Sequence, residues 1–281
     1  MSKPTWEIIE AIVLILIAAC ALLGNCMIIL AFVIGPRAIK TFTNYFVVNL
    51  AVADLMVVCL SLPFWIASRL DYELIDGRVR KFFDALDILC GTTSILNLTA
   101  ISLERMYAVK FPARHFNLSP HPVIGVIALT WTTGLFFTIT QYPATTGKSV
   151  RWYTCFIFTM AFLIPLLIIV GSYCITFHCA VSTLKINSKR ELKVAKTISV
   201  IITLFFVCWS PFFIVNMIFA FCEGINCTKL PRWLVDVTKV MHYSNSMMNF
   251  FVYGHRSPDF RRSFKAFFHC NFRPIQRRVH R

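Results

Sequence analysis

Long apolar runs separated by short polar links recur along this chain, and that alternation predicts its architecture before any single residue is weighed. Seven runs reach the roughly 20 predominantly apolar residues that a helix needs to cross a bilayer. They fall at about 8–34, 44–68, 82–109, 121–142, 153–183, 194–221 and 232–254. The links hold turn or charge signals, among them "GPRAIKT", "DYELIDGRVRK" and "KINSKREL". The expected fold is an all-α membrane protein, a seven-transmembrane helix bundle over residues 1–254, with no internal repeat and no separate soluble domain. In residues 255–281, "SPDFRRSFKAFFHC" spaces Phe260, Phe264, Phe267 and Phe268 along one helical face, with Arg261, Arg262 and Lys265 between them. This pattern predicts a short amphipathic eighth helix on the inner leaflet, then a short basic tail. Cys270 at its end is a candidate for lipidation.

Composition agrees: 57% of residues are hydrophobic and 15% charged, the balance of an integral membrane protein. The net charge of +15 would suit a nucleic-acid partner, but its distribution argues otherwise. With the N-terminus outside, the inner segments hold 18 Lys and Arg and the outer segments nine, leaving Lys239 within the seventh run. An excess of Lys and Arg marks the cytoplasmic side. The basic balance is therefore topological, and the chain is expected in the plasma membrane as a multi-pass protein with an extracellular N-terminus and a cytoplasmic C-terminus. "LIAAC" at 16–20 resembles a cleavage site, yet apolar sequence continues to Ile34 and Glu7 and Glu10 precede it, so the first run reads as a span. Of eleven cysteines, most sit inside apolar runs as small hydrophobes; Cys222 and Cys227, flanking "EGIN", are the pair best placed for a short-loop disulfide. The seven histidines show neither metal-ligand spacing nor a nucleophile–base pairing, so no enzyme is expected.

The charged residues inside the runs carry the functional information. A charge at the bilayer centre costs about 2.5–3.5 kcal/mol on insertion scales, so it must face the bundle interior and find a partner. Asp54 stands in the middle of its run and Lys239 within the seventh, whereas Asp87 lies toward the outer side of the third run and Glu104 and Arg105 at its inner end. A proton or ion transporter could use Asp54, Asp87 and Lys239 as a relay, but the internal repeats and broken helix pairs that mark transporters are missing.

More specific marks follow in order along the chain: "GN" at Gly24-Asn25, "LAVADL" around Asp54, and "ERM" at Glu104-Arg105-Met106. Trp131, Pro165, Tyr173, "CWSP" at 208–211 and "NFFVY" at 249–253 complete the set. Together they resemble the rhodopsin-like G-protein-coupled receptors over almost the whole chain. The resemblance implies a receptor that passes ligand binding to a heterotrimeric G protein and needs no cofactor. It implies a sodium ion as allosteric modulator, held by Asp54, Ser94, Asn245, Ser246 and Asn249. It also implies an activation switch in which Arg105 pairs with Glu104 and Glu191, with Tyr173, Trp209 and Tyr253 taking part. "DILCGTTSILNLTAISLER" is similar to the third helix of biogenic-amine receptors, whose aspartate, here Asp87, binds the ligand's ammonium. The implied ligand site adds Cys90, Gly91, Phe162, Trp209, Phe212, Phe213, Lys239 and Tyr243. An ammonium between a carboxylate and aromatic faces gains Coulomb and cation–π energy.

Several positions depart from that pattern. Arg80 stands where the family's third helix usually begins with a bridged Cys, and Ile157, Phe158 and Ala161 replace the helix-five serines of catechol receptors. Phe250 replaces the proline of the usual Asn-Pro-x-x-Tyr, and it cannot break a helix as proline does. Lys239 leaves three readings: it faces Asp87 as a built-in counter-ion, meets an anionic ligand group, or snorkels outward. The reading favoured is a receptor for a small amine. Its alternatives keep the fold with a lipid or anionic ligand, or with constitutive signalling.

Overall fold

The computed structural model describes residues 5–35, 39–70, 76–119, 121–141, 148–182, 188–221, 231–256 and 258–268, and among these there is no strand. Helix one is Thr5–Ile34. Helix two starts as Phe42–Met56, passes through a π-helical turn at Val57–Ser61 and continues as Leu62–Leu70. Helix three is Gly77–Lys110, followed by a short connecting helix, Pro112–Phe116, and by helix four, His121–Thr140. Helix five runs Lys148–Ile157, turns through Phe158–Leu163 as a second π-helix and continues as Ile164–Ser182. Helix six is Ser188–Phe221, helix seven Arg232–Arg256, and the amphipathic helix Pro258–Phe268.

Among the described residues, six helices are long and apolar enough to cross a membrane by length and composition. Helix seven is long enough, its 25 residues spanning about 37 Å at 1.5 Å each, but too polar for that measure. Its polarity is turned inward: Asp236, Thr238, His242, Asn245, Ser246 and Asn249 are buried, whereas Trp233 and Phe251 lie about half exposed. Elsewhere in the bundle Leu16, Leu23, Leu129 and Leu167 face outward, while Asn25, Asp54, Thr93 and Asn97 are buried beside an apolar core that includes Leu14, Leu50 and Phe205. Lipid solvates leucine as well as a core does, so apolar side chains are free to face outward while polar groups find partners inside.

Helix three is the axis on which helices two, four and five pack. A chain of hydrogen bonds ties three of these elements together. Trp131 Nε1 donates to Asn49 Oδ1 at 2.9 Å, Asn49 Nδ2 donates to Asn97 Oδ1 at 2.7 Å, and Asn97 Nδ2 donates to the Thr93 carbonyl at 3.0 Å. Helix four comes close because Gly134 has no side chain; a Cβ there would lie 2.8 Å from Thr93 Oγ1.

Prolines account for the irregular turns. Pro63 and Pro165 each follow a π-helical turn that contains the residue four positions earlier, Cys59 or Ala161. A proline ring cannot donate to that carbonyl and clashes with it, and widening the turn relieves the conflict. Pro211 inside helix six removes a ladder hydrogen bond in the same way and marks where that helix bends most readily. Helix seven, with Phe250 in place of proline, runs unbroken to Arg256. Phe250 packs against Gly24 of helix one, where an added Cβ would stand 2.5 Å from the Phe250 Cβ, and against Phe264 with ring centroids 5.0 Å apart.

Candidate functional site

One helical turn separates Asp87 from Gly91 on helix three, and Lys239 from His242 and Tyr243 on helix seven, so each group presents one face to the bundle. Lys239 Nζ donates to Asp87 Oδ2 at 2.7 Å, so of the three readings of Lys239 the geometry selects the built-in counter-ion. The two side chains are only 12% and 11% exposed, which makes this a buried pair and not a surface bridge. The Lys239 ammonium also lies over three rings, 5.0 Å from the centroid of Trp65, 4.8 Å from Phe212 and 5.5 Å from Tyr243, all within cation–π range.

The other carboxylate oxygen is less well served. Asp87 Oδ1 makes no hydrogen bond among the described residues, with His242 Nε2 standing 3.4 Å away. Beside it opens a cavity of about 50 Å³ lined by Asp87, Ile88, Gly91, Thr92, Ile95, Ile157, Trp209, Phe212, Phe213 and His242. One water needs roughly 10–15 Å³ of such space, so the cavity at rest holds a few waters, and a ring-bearing ligand enters only as its aromatic walls part. Two more buried polar atoms on its wall, Trp209 Nε1 and His242 Nδ1, lack hydrogen-bond partners. Trp209 stands edge-on to His242, centroids 4.2 Å apart, and its ring presses on helix three at Gly91, where a Cβ would fall 2.6 Å from it.

The structure thus brings Asp87, Gly91, Trp209, Phe212 and Phe213 to one cavity and places Lys239 against its carboxylate. Phe162 stacks behind Phe213, centroids 4.6 Å apart, and does not line the space. Tyr243 and Cys90 are buried on the far side, in a cluster with Leu14, Ile17, Val57 and Leu62. Tyr243 therefore touches the ammonium of Lys239 and not the cavity. The chain's own ammonium thus already occupies one oxygen of the Asp87 carboxylate. His242 and Trp65 were missed by the sequence reasoning. His242 was findable, being three residues beyond Lys239 on the same helical face.

Deeper in the bundle, Asp54 is 1% exposed and accepts from Ser246 Oγ at 2.8 Å and from Asn249 Nδ2 at 2.7 Å. Asn25 Nδ2 donates to the Ser246 carbonyl at 3.0 Å, binding helix one to the same group. Ser94 and Asn245 are buried as well, and Ser94 Oγ has no hydrogen-bond partner among the described residues. A carboxylate, hydroxyls and amides form a hard-oxygen donor set that suits sodium, and the unpartnered Ser94 oxygen fits it.

At the inner end, Arg105 grips its neighbour with two bonds, Nε to Glu104 Oε2 at 2.6 Å and Nη2 to Glu104 Oε1 at 2.7 Å. Thr43 Oγ1 donates to Oε2 at 2.8 Å, and His115 Nε2 lies 2.8 Å from Oε1. His115, from the connecting helix, and Thr43 were not foreseen. Tyr253 is buried with its hydroxyl unpartnered among the described residues, and Tyr173 rests on Phe177 with centroids 6.4 Å apart. Glu191 belongs to helix six, but its side chain lies outside the described residues, as do Cys222, Cys227 and Cys270 altogether.

Comparison with known proteins agrees with this layout. A family model described as 7 transmembrane receptor (rhodopsin family) matches residues 24–253. An adenosine receptor A2b of Gallus gallus is 29% identical, over 93% of this chain and 87% of that receptor. A D(5)-like dopamine receptor of Takifugu rubripes is 29% identical over 92% of this chain and 66% of its own length. An octopamine receptor beta-2R of Chilo suppressalis is 27% identical over 92% of this chain and 79% of that receptor.

Proposed function

We propose, for a chain that belongs to the rhodopsin family of seven-transmembrane receptors, that the ligand is a small molecule bearing an ammonium group and that its binding at Asp87 activates a heterotrimeric G protein. The family is one of receptors and not enzymes, and the chain is a multi-pass membrane protein. The N-terminus is placed outside by the excess of Lys and Arg on the opposite side, 18 against nine.

The observation that carries the amine reading is the cage around Lys239. A carboxylate and three rings already hold an ammonium there, at 2.7 Å from Asp87 and within 5.5 Å of each ring centroid. An outside amine would meet the chemistry that suits the inside one. Among ligands named for relatives, dopamine and octopamine carry such a cation, whereas the neutral nucleoside adenosine offers an ionised carboxylate hydrogen bonds but no opposite charge.

In this reading the ligand's arrival at Asp87 disturbs His242, Phe212 and Trp209, which share ring contacts. Trp209 lies on helix six two residues before Pro211, so a displaced ring bends that helix at its weakest point. Its inner end then moves away from helix three, opening a cleft beside Arg105 for the G protein. Such a device needs two discrete arrangements biased by the ligand. Sodium, if bound, would be held by Asp54, Ser94, Asn245, Ser246 and Asn249, supplying positive charge to a buried carboxylate.

Nucleotide exchange on G proteins, measured in membranes carrying the receptor with tyramine, octopamine, dopamine, histamine or serotonin, tests the proposal. A response that disappears in Asp87→Asn supports it; equal responses in both proteins remove Asp87 from the account. The ion pair itself favours a second reading, in which a lipid or anionic ligand meets Lys239 or the receptor signals without ligand. Activation by an anion that Lys239→Met abolishes, with no amine response, would establish that reading instead.

A further inference from the structure

The geometry points to a zwitterionic ligand, one that carries an ammonium and a carboxylate together, as a free amino acid does. This inference rests on the ammonium reading of Asp87 and narrows it.

Charge bookkeeping around the pair is the first ground. Asp87 and Lys239 form a neutral couple at 2.7 Å, both almost buried. A plain amine entering beside Asp87 would leave two positive charges on one carboxylate in a space walled by Trp209, Phe212 and Phe213. If it displaced Lys239, that ammonium would give up its 2.7 Å contact and keep only the rings and the Coulombic attraction of Asp84, one turn before Asp87 on helix three. Either outcome crowds or breaks a close ion pair in a low-dielectric site, where that is most costly. His242 is the basic side chain among the described residues lining the cavity, with Lys239 just behind Asp87 and Phe212, and it adds no negative charge.

The second ground is unspent hydrogen-bonding capacity on both partners. Asp87 Oδ1 lies on the cavity wall without a hydrogen bond among the described residues. Lys239 has three N–H donors, and its hydrogen bond to Asp87 Oδ2 uses one of them. A ligand ammonium on Oδ1 and a ligand carboxylate on a second N–H of Lys239 would close a ring of four alternating charges. The Lys239–Asp87 contact need not break, and no charge is left alone. Trp209 Nε1, also unpartnered on the same wall, is a further donor within the site. An amine lacking the carboxylate would close three corners of that ring and leave the fourth repulsive.

Matched pairs that differ by one carboxylate make the test: L-tyrosine with tyramine, L-phenylalanine with phenethylamine, and L-histidine with histamine. Each is assayed for G-protein nucleotide exchange in membranes and for a rise in Tm of the purified full-length receptor. At least one amino acid is expected to act on the wild type at tenfold or more lower concentration than its amine. Lys239→Met should reverse that order, and Asp87→Asn should abolish both responses. The Asp87→Asn, Lys239→Met double variant, which keeps no unpaired charge, is the folded control and should bind neither.

A wild type that prefers the amine, with Lys239→Met preserving the preference, overturns the zwitterion and leaves the amine receptor standing. Amine responses confined to Lys239→Met also overturn it, since Lys239 then acts only as a plug. No response and no Tm shift from any compound in the wild type or Lys239→Met overturns both the zwitterion and the ammonium reading beneath it.

Discussion

Two ion pairs on helix three, separated by 18 residues and so by about 27 Å of helix, are built in opposite ways. At the inner end, both oxygens of Glu104 are engaged twice, by Arg105, Thr43 and His115. At the outer end, Asp87 holds Lys239 with one oxygen and leaves the other without a hydrogen bond among the described residues. The inner carboxylate is saturated, by its neighbour Arg105, by His115 and by Thr43 of helix two; the outer one bridges residues 152 apart in sequence and is not. A saturated carboxylate resists exchange of partners, because any newcomer must break several charge-assisted bonds at once. An unsaturated one accepts a newcomer beside its existing partner. The difference separates a device that holds from a device that senses.

Breaking the outer pair should produce the largest effect. Asp87→Asn or Lys239→Met alone removes one member of a buried pair and should cost about 3–5 kcal/mol of stability, read as a fall in Tm in detergent. The double variant should recover most of that loss, because no charge is left buried alone. If each single variant melts like the wild type, the pair contributes nothing to the fold. An intermediate effect is expected where rings meet glycine. Gly91→Ala forces Trp209 from its seat and Gly24→Ala collides with Phe250, each costing about 1–3 kcal/mol as overpacking. Gly91→Ala should in addition change basal nucleotide exchange on the G protein, and a variant that only loses stability would uncouple Trp209 from signalling. The smallest effect belongs to the inner pair: Thr43→Val deletes one of several bonds to Glu104, about 1 kcal/mol, and should raise basal exchange roughly fivefold. An unchanged basal rate would mean that the Glu104 cluster does not hold the resting state.

Much of this was legible from spacing and cost. Seven runs were read as apolar spans and seven helices are there, although the seventh is more polar than the reading took it to be and does not pass by composition alone. Asp87 and Arg105 were marked by the expense of placing charge among hydrophobes. Lys239 was left open among three directions because a helix's rotation about its axis is set by packing against its neighbours, which sequence does not report. For that reason Tyr243 was assigned to the pocket wall and lies behind the ammonium, while His242, one residue earlier, takes the wall position. His115 escaped notice for another reason: it comes from a connecting turn, and nothing in "KFPARHF" says that the turn folds back on Glu104.

The unbroken end of helix seven has a consequence for how the bundle moves. Phe250 is keyed into the notch at Gly24 and clamped by Phe264, so helices one and seven and the amphipathic helix form one stator. Helix six, with its proline, is left as the rotor, and in this chain the stroke that admits a G protein falls to that single arm.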